Sequence, residues 1–546
     1  MNQLDRNRGT RRRFLRNVRI GCIAAALALL AACSQSAGTT SPDPNGTPRQ
    51  GGALTMLLPG DARGLDPYTA SASNVADGSR LSALYDVLLW SDPSTGTLRP
   101  QLAESLQPEG DASVWILTLR SGIRFTDGAD LDAEAVKRAW EAHKLPQLRS
   151  LAAPTVATLG LTVLDKLRLS IKLPAPNANF DRMVARTLNF IPSPKTLENA
   201  QTVDASRRAP VGAGPFRLRE WVPNDHMTFE RNPDYWQRDK GLPYLDSVTF
   251  KVNVDTPSGS RIIDEGGADL TVSTDALLIN DARQRGLSVG EIPLNGGLMV
   301  AFNMRPEQDK KKPPRPFANP DLRRAVVLSL STAEIDRRFY NSAGAPAKGI
   351  FDSSSPLANT QLTSPENDEP QAAALFAQLT QNGRKPVEIT YVVPNSPKAT
   401  AIAQYVKERI ETVSKRTVTV NVAAEDIPNF IKRTSLDGNF DVATFQLWAD
   451  DAEPTIFQFL HSQGGNTNLT GYNNPEVDAA LEEARLATDP GQRREAYTRV
   501  QVQLNKDLPF LVYQEAVAAY VCDPKVTGLQ LFNDGVLLFD RIGIRK

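Results

Sequence analysis

The chain has 546 residues, 41 % of them hydrophobic, which is more than one simple core organises and too apolar for a disordered chain. Lys+Arg and Asp+Glu both number 62, but seven Arg and one acid fall within residues 1–32, so the remainder carries 55 basic against 61 acidic residues. That acidic excess argues against a nucleic-acid partner, and three His with three Cys leave little room for a zinc cluster or a disulfide framework.

The N-terminus comes first. Arg6 to Arg19 is basic, and Ile20 to Ala32 is an uncharged, mostly apolar run of thirteen residues. As a helix that run reaches about 20 Å, short of the ~30 Å hydrocarbon core, so it predicts a signal peptide over 1–32 and not a permanent span. Leu30-Ala31-Ala32-Cys33 resembles a bacterial lipobox, in which the cysteine becomes the lipidated first residue; Cys33 is therefore the expected lipidation site. Thr10 to Arg16 resembles the twin-arginine export consensus, which leaves that route and the general secretory route both open. Residues 33–50, rich in Ser, Thr, Pro and Gly without an apolar period, read as a flexible tether. Cys22 leaves with the signal and Cys33 is modified, so Cys522 has no intrachain disulfide partner.

Strand and helix signals then alternate. Ala53 to Leu58 is a short apolar run ended by Pro59-Gly60, and Val114 to Arg120 is rich in β-formers and stops at Ser121-Gly122. Asp132 to Trp140 has helical spacing. Gly212-Ala213-Gly214-Pro215-Phe216 reads as a tight structural turn, because Pro215 removes a donor that a phosphate cradle needs. Lys310 to Pro314 is a charged, proline-rich surface loop. Val387 to Val393 and Val418 to Val422 are strands flanking a helix near Ala399 to Ser414, a βαβ unit and hence an α/β region. Asp478 to Leu486 and Pro490 to Asn505 read as surface helices.

The sequence lacks a P-loop, H-E-x-x-H, C-x-x-C, G-x-S-x-G and S-x-x-K. His143, His226 and His461 have no ligand spacing. No catalytic or metal site is assigned, and no cofactor.

An ordered set of segments carries a resemblance. Leu102-Ala103-Glu104-Ser105 is followed by Leu119-Arg120-Ser121-Gly122-Ile123-Arg124-Phe125-Thr126-Asp127-Gly128, then Gly212 to Phe216, Asn232-Pro233-Asp234-Tyr235-Trp236 and Leu242 to Asp246. Asp321 to Ala325, Tyr472 to Asp478 and Leu508-Pro509-Phe510 complete it. Across about residues 52–540 the chain resembles the peptide/nickel solute-binding proteins of ABC importers. The resemblance implies an α/β, bilobed fold of the type II periplasmic-binding-protein kind, with an extra domain and a ligand cleft between the lobes. Lobe I would take 51–91, 208–297 and 506–546, the extra domain 92–207, and lobe II 298–505. It implies a monomeric, non-enzymatic lipoprotein, held by its lipid anchor at the extracytoplasmic face of the cell membrane, that delivers oligopeptides to the permease subunits. A sugar, a metal chelate or haem in the same fold is the alternative ligand, and an extracytoplasmic hydrolase with an unmarked carboxylate site the alternative class. Trp115, Phe125, Tyr235 and Trp236 are expected in cores and not in the pocket.

The run Phe440 to Thr455 resembles the oligopeptide-binding subgroup: F-D-V-A, a short strand, then A-D and, shortly after, P-T. There the strand pairs with peptide backbone and the Asp takes the α-ammonium, which implies that Asp450 is the anchor, with Thr444, Gln446, Leu447, Trp448 and Ala449 along the strand. Trp448 and Leu447 alternate, one facing the cleft and the other the lobe core. Asp451 is the neighbouring candidate, and the bland alternative makes both acids a solvated turn. The position six residues before the Asp, often an Arg that serves a ligand carboxylate, is Thr444. The second wall is expected from Thr69 to Ala76.

Overall fold

The computed structural model describes residues 48–73, 75–92, 95–150, 152–198, 207–307 and 313–545. The expected signal peptide, the lipidation site Cys33, most of the tether and part of the Lys310–Pro314 loop lie outside the described residues. Pro48–Arg49 form a short strand against Ile544 and Arg545, so the stretch read as tether contributes a strand. Backbone pairing to the C-terminal strand overrides a composition that has no apolar period.

Ten strands form the main sheet: β1 (Ala53–Leu58), β2 (Phe216–Val222), β3 (His226–Arg231), β4 (Ser247–Val252), β5 (Leu270–Ser273), β6 (Ser288–Phe302), β7 (Val387–Pro394), β8 (Val418–Glu425), β9 (Val442–Ala449) and β10 (Phe510–Cys522). Their order is β8-β7-β9-β6-β10-β5-β1-β4-β3-β2. β7 and β8 are parallel and flank the helix Pro397–Val413, as the βαβ reading expects. That helix starts where Ser396 accepts the Ala399 N–H and Pro397 fills the first turn; Ile402, Val406, Ile410 and Val413 then return to one face and are buried.

The cores separate along the chain. One draws on β1, β4, β5, the first half of β6 and the second half of β10, with Tyr85, Phe216, Phe229 and Phe539. A second lies within residues 88–213, where a four-stranded sheet (Ala103–Glu109, Val114–Leu119, Arg168–Lys172, Gly160–Val163) packs on the helices Ala133–Ala142 and Phe180–Thr187. Trp115 and Phe125 are buried there. The remaining large cores lie on the two faces of β7, β9 and the far ends of β6 and β10.

Among the described residues only β6 and β10 run through both halves of the large sheet. Leu294 stands opposite Ala516 and Leu298 opposite Gln514, so Asn295-Gly296-Gly297 bulges across from Glu515. Gly296 (φ +102°) and Gly297 (φ +123°) adopt backbone that other residues avoid, and a Cβ would lie 2.2 Å from the Leu447 carbonyl oxygen or 2.3 Å from that of Gln514. Gly212 and Gly214 differ from the expected tight turn. Neither has a positive φ; a Cβ on either would lie within 2.4 Å of the Leu84 backbone, so close chain approach is what demands glycine.

Candidate functional site

β9 presents alternate residues to opposite faces. Ala443, Leu447 and Ala449 are buried with Met299 and Val512, and Phe445 stacks on Phe459 at 5.3 Å. Thr444, Gln446 and Trp448 point the other way. Trp448 is half-buried, packs against the core built on β1, β4 and β5, and lines two cavities. Leu447 therefore faces the core and Trp448 the cleft; Leu447 and Ala449 can meet a ligand only through their backbone. Gln446 is exposed and lines neither cavity, and Thr444 Oγ1 lies 2.9 Å from the Tyr391 hydroxyl.

The edges of β9 differ. β6 pairs with it from end to end, while β7 pairs only with Val442 and Ala443. From Thr444 onward the outer edge has no strand partner among the described residues. Gly296, opposite Trp448, sends its N–H to the Ile350 carbonyl (2.7 Å), not across the pair. The Trp448 carbonyl accepts a bond from Arg186 Nη2 at 3.2 Å, so the peptide groups of Trp448 serve the open edge.

Asp450 ends the strand inside a charge cluster. Ser91 Oγ donates to its Oδ2 at 2.7 Å and Arg186 Nη1 to its Oδ1 at 3.3 Å. Arg186, carried on the helix Phe180–Thr187, also donates through both terminal nitrogens to Asp534, with Nη1 at 2.7 Å. Asp534 sits in the turn between Leu531–Phe532 and Val536–Leu537. The three charged side chains are 10 %, 15 % and 20 % exposed for Arg186, Asp534 and Asp450. Two carboxylates against one guanidinium leave one negative charge unmatched. Burial, against the pull of Arg186, pushes the Asp534 carboxyl up to about 6. Burial disfavours the Arg186 charge, but Asp534 and Asp450 hold it firmly protonated.

Asp451 has a different task. Its carboxylate binds Arg493 through both terminal nitrogens and Arg182 Nη1 at 3.1 Å. Burial opposes its ionisation, yet the Arg493 and Arg182 guanidiniums outweigh that and hold its carboxyl well below the usual range. Neither acid is a solvated turn residue.

Three cavities of about 570, 360 and 330 Å³ adjoin one another here. Ser71 and Ser73 line the first two, and Val75 and Ala76 the second, so these residues of the expected second wall share a cavity with Trp448 and Asp534; Thr274 and Trp448 line the second and third. Arg186 borders the largest, whose walls include Pro154, Pro176 and Met183. Across the cleft Asp275, which caps the helix Ala276–Gln284, pairs with Lys398 at 3.2 Å. Among the described residues no group of side chains has metal-holding geometry and no helix is long and apolar enough to cross a membrane.

Arg186, Ser91 and Asp534 escape a linear reading. Arg186 looks like the polar face of an amphipathic helix, and Asn533-Asp534-Gly535 announces only a turn. They meet Asp450 from 264, 359 and 84 positions away.

Residues 97–468 match the bacterial extracellular solute-binding proteins, family 5 middle region. The glutathione-binding protein GsiB of Salmonella paratyphi A is 23 % identical over 495 residues, covering 87 % of this chain and 91 % of that protein. The periplasmic oligopeptide-binding protein OppA of Escherichia coli K12 is 26 % identical over 508 residues, 86 % and 88 % of the two chains. The oligopeptide-binding protein AppA of Bacillus subtilis, solved with a nonapeptide, superposes with a TM-score of 0.74 at 19 % identity, over 92 % of this chain and 100 % of that one. The fold is accordingly the bilobed type II one, with an extra domain and a cleft between the lobes. The chain belongs to the bacterial extracellular solute-binding proteins of family 5, and is a binding component of an ABC importer, not an enzyme.

Proposed function

We propose that the protein captures oligopeptides in its interlobe cleft and hands them to an ABC permease. The observation that carries this is the unpaired outer edge of Thr444–Ala449, which ends at an acidic cluster with one uncompensated charge. An extended peptide adds to such an edge by backbone hydrogen bonds whatever its side chains, and its α-ammonium supplies the missing positive charge to Asp450 and Asp534. Arg186 holds the two carboxylates together; Ser91 fixes Asp450. Trp448 and the Ser71–Ser73 loop give the peptide its two walls. Thr444 offers no cation, so recognition rests on the ammonium and the backbone and not on a ligand carboxylate at that position. Glutathione, named for one relative, is a peptide with the same α-ammonium.

The lobes close on the ligand by twisting β6 and β10 about the Gly296-Gly297 bulge. The mature chain acts as a monomer, lipidated at Cys33 on the extracytoplasmic face. Detergent partition of wild type and Cys33→Ala tests the anchor, which fails if both forms stay with the membrane.

Calorimetric titration of an oligopeptide and its N-acetylated form into wild type and Asp450→Asn tests the ammonium site. Each change alone should weaken binding, and the two losses should overlap because they delete one interaction. Full additivity would remove Asp450 from the site. Mass spectrometry of material carried through native purification tests the ligand class, and recovery of a sugar or a chelate in place of peptides would overturn it.

A further inference from the structure

The third cavity lies at the base of the cleft, against the bulge that links the halves, and its wall has a charge pattern of its own. Four charged residues line it, Arg283, Glu291, Asp352 and Glu515, together with the phenol of Tyr340. Arg283 Nη2 binds Glu291 Oε1 at 2.6 Å, so that pair is neutral. Asp352 and Glu515 form no ion pair with a cation of the wall. Lys348 is near enough to favour the Glu515 charge, but it is exposed and does not line the cavity. The Glu515 carboxyl hydrogen-bonds Asp352 instead. Asp352 Oδ1 is fixed by the Ser354 N–H at 2.7 Å. Burial and then the Asp352 charge push the Glu515 carboxyl up to about 7.

A second observation is independent of these acids. Gln514, 4 % exposed, lines the same cavity; its Nε2 donates to the Ala345 carbonyl at 3.0 Å, while its Oε1 is buried and accepts nothing. A buried acceptor left unmet is costly and asks for a donor. Trp448 forms the wall shared with the middle cavity, so a chain lying along the outer edge of β9 passes the mouth of this one.

We propose that this cavity is a subsite for a cationic side chain of the ligand, a lysine or arginine of a peptide bound along the Thr444–Ala449 edge. The alkyl stem lies on Trp448, the charged head meets Asp352 and Glu515, and one N–H fills the Gln514 Oε1. Entry of the cation displaces the proton of Glu515, so binding of a basic peptide releases protons to the buffer near pH 7. The subsite rests on the peptide reading above, and the two fail in different ways.

The probes are a pentaalanine series in which lysine, or its uncharged analogue norleucine, is placed at each position in turn. They are titrated by calorimetry at pH 7 in two buffers of different ionisation enthalpy. At one position lysine should bind about tenfold or more tighter than norleucine, with more protons released than for norleucine at the same position. The lysine-to-norleucine ratio at that position should fall toward one in Glu515→Gln and in Asp352→Asn, each checked for an unchanged circular dichroism spectrum. The wild-type comparison needs no variant, so a misfolded variant does not spare the proposal. Equal binding of lysine and norleucine at every position, or a lysine preference that survives in a folded variant, overturns the subsite and leaves peptide binding standing. Failure of every peptide to bind folded wild type overturns peptide binding and the subsite with it.

Discussion

Asp450 and Asp451 are neighbours in sequence and opposites in circumstance. Asp451 is 10 % exposed and held by two guanidiniums, Arg493 from the helix Pro490–Asp507 and Arg182 from the helix Phe180–Thr187. Its charge is fully met, so it has nothing left to offer a ligand. Asp450 is 20 % exposed and shares one guanidinium with a second acid, so its cluster keeps a negative charge at the mouth of a cavity. Matched charge fastens the fold; unmatched charge beside open backbone receives a ligand. Chain position is the same to within one residue, and the partners supplied by distant segments decide which role each acid has.

The largest effect should come from breaking the matched side. Asp451→Asn leaves Arg493 buried without its carboxylate and should cost about 3–5 kcal/mol of stability, read by denaturant unfolding. The sign with pH follows from its depressed pKa: the contribution is present above the ordinary carboxylate range and is lost as pH falls toward the folded value. Asp450→Asn should divide the effects the other way. Affinity for a peptide with a free ammonium should fall by roughly 2–5 kcal/mol, on the order of 30- to 5,000-fold, while the unfolding midpoint stays close to wild type. Equal loss of stability in the two variants would erase the distinction between them.

A middle-sized effect concerns pH. With a carboxyl pushed up to about 6, Asp534 takes up a proton in the folded state before it would in the unfolded chain. Its contribution to stability is therefore present at low pH and declines as pH rises from about 4 through about 6. Peptide affinity should move oppositely, dropping about tenfold per pH unit below about 6 as the spare negative charge is lost. Above about 8 the ligand's own ammonium deprotonates. Titrations between pH 5 and pH 9 should give a bell, and Asp534→Asn should remove its acid limb. The smallest effect belongs to a pair outside both clusters. Asp275 and Lys398 are each more than a third exposed, and Lys398→Met should change stability by less than about 1 kcal/mol.

Much of the architecture is legible in the chain itself. Ala53–Leu58, Val114–Leu119 and the β7–helix–β8 unit form where apolar periods and breakers put them, because burial on one face is a local instruction. The open edge of β9 is less legible. Its alternation tells that Trp448 and Leu447 part company, yet not which faces water, since that depends on β7 leaving the pair after Ala443. Gly212 and Gly214 are visible as glycines, but their reason, the backbone of Leu84, is 128 and 130 positions away.

By itself the sequence determined the elements, the family and the candidate strand with its terminal acid, because periodicity, chain breakers and ordered motifs are properties of neighbouring residues. Only the tertiary structure decided that Asp450 shares Arg186 with Asp534, that Asp451 is spoken for by Arg493, and that Asp352, Gln514 and Glu515 meet in one wall. Electrostatic energy depends on distance in space and on burial, and a folded chain sets both through contacts between residues tens to hundreds of positions apart.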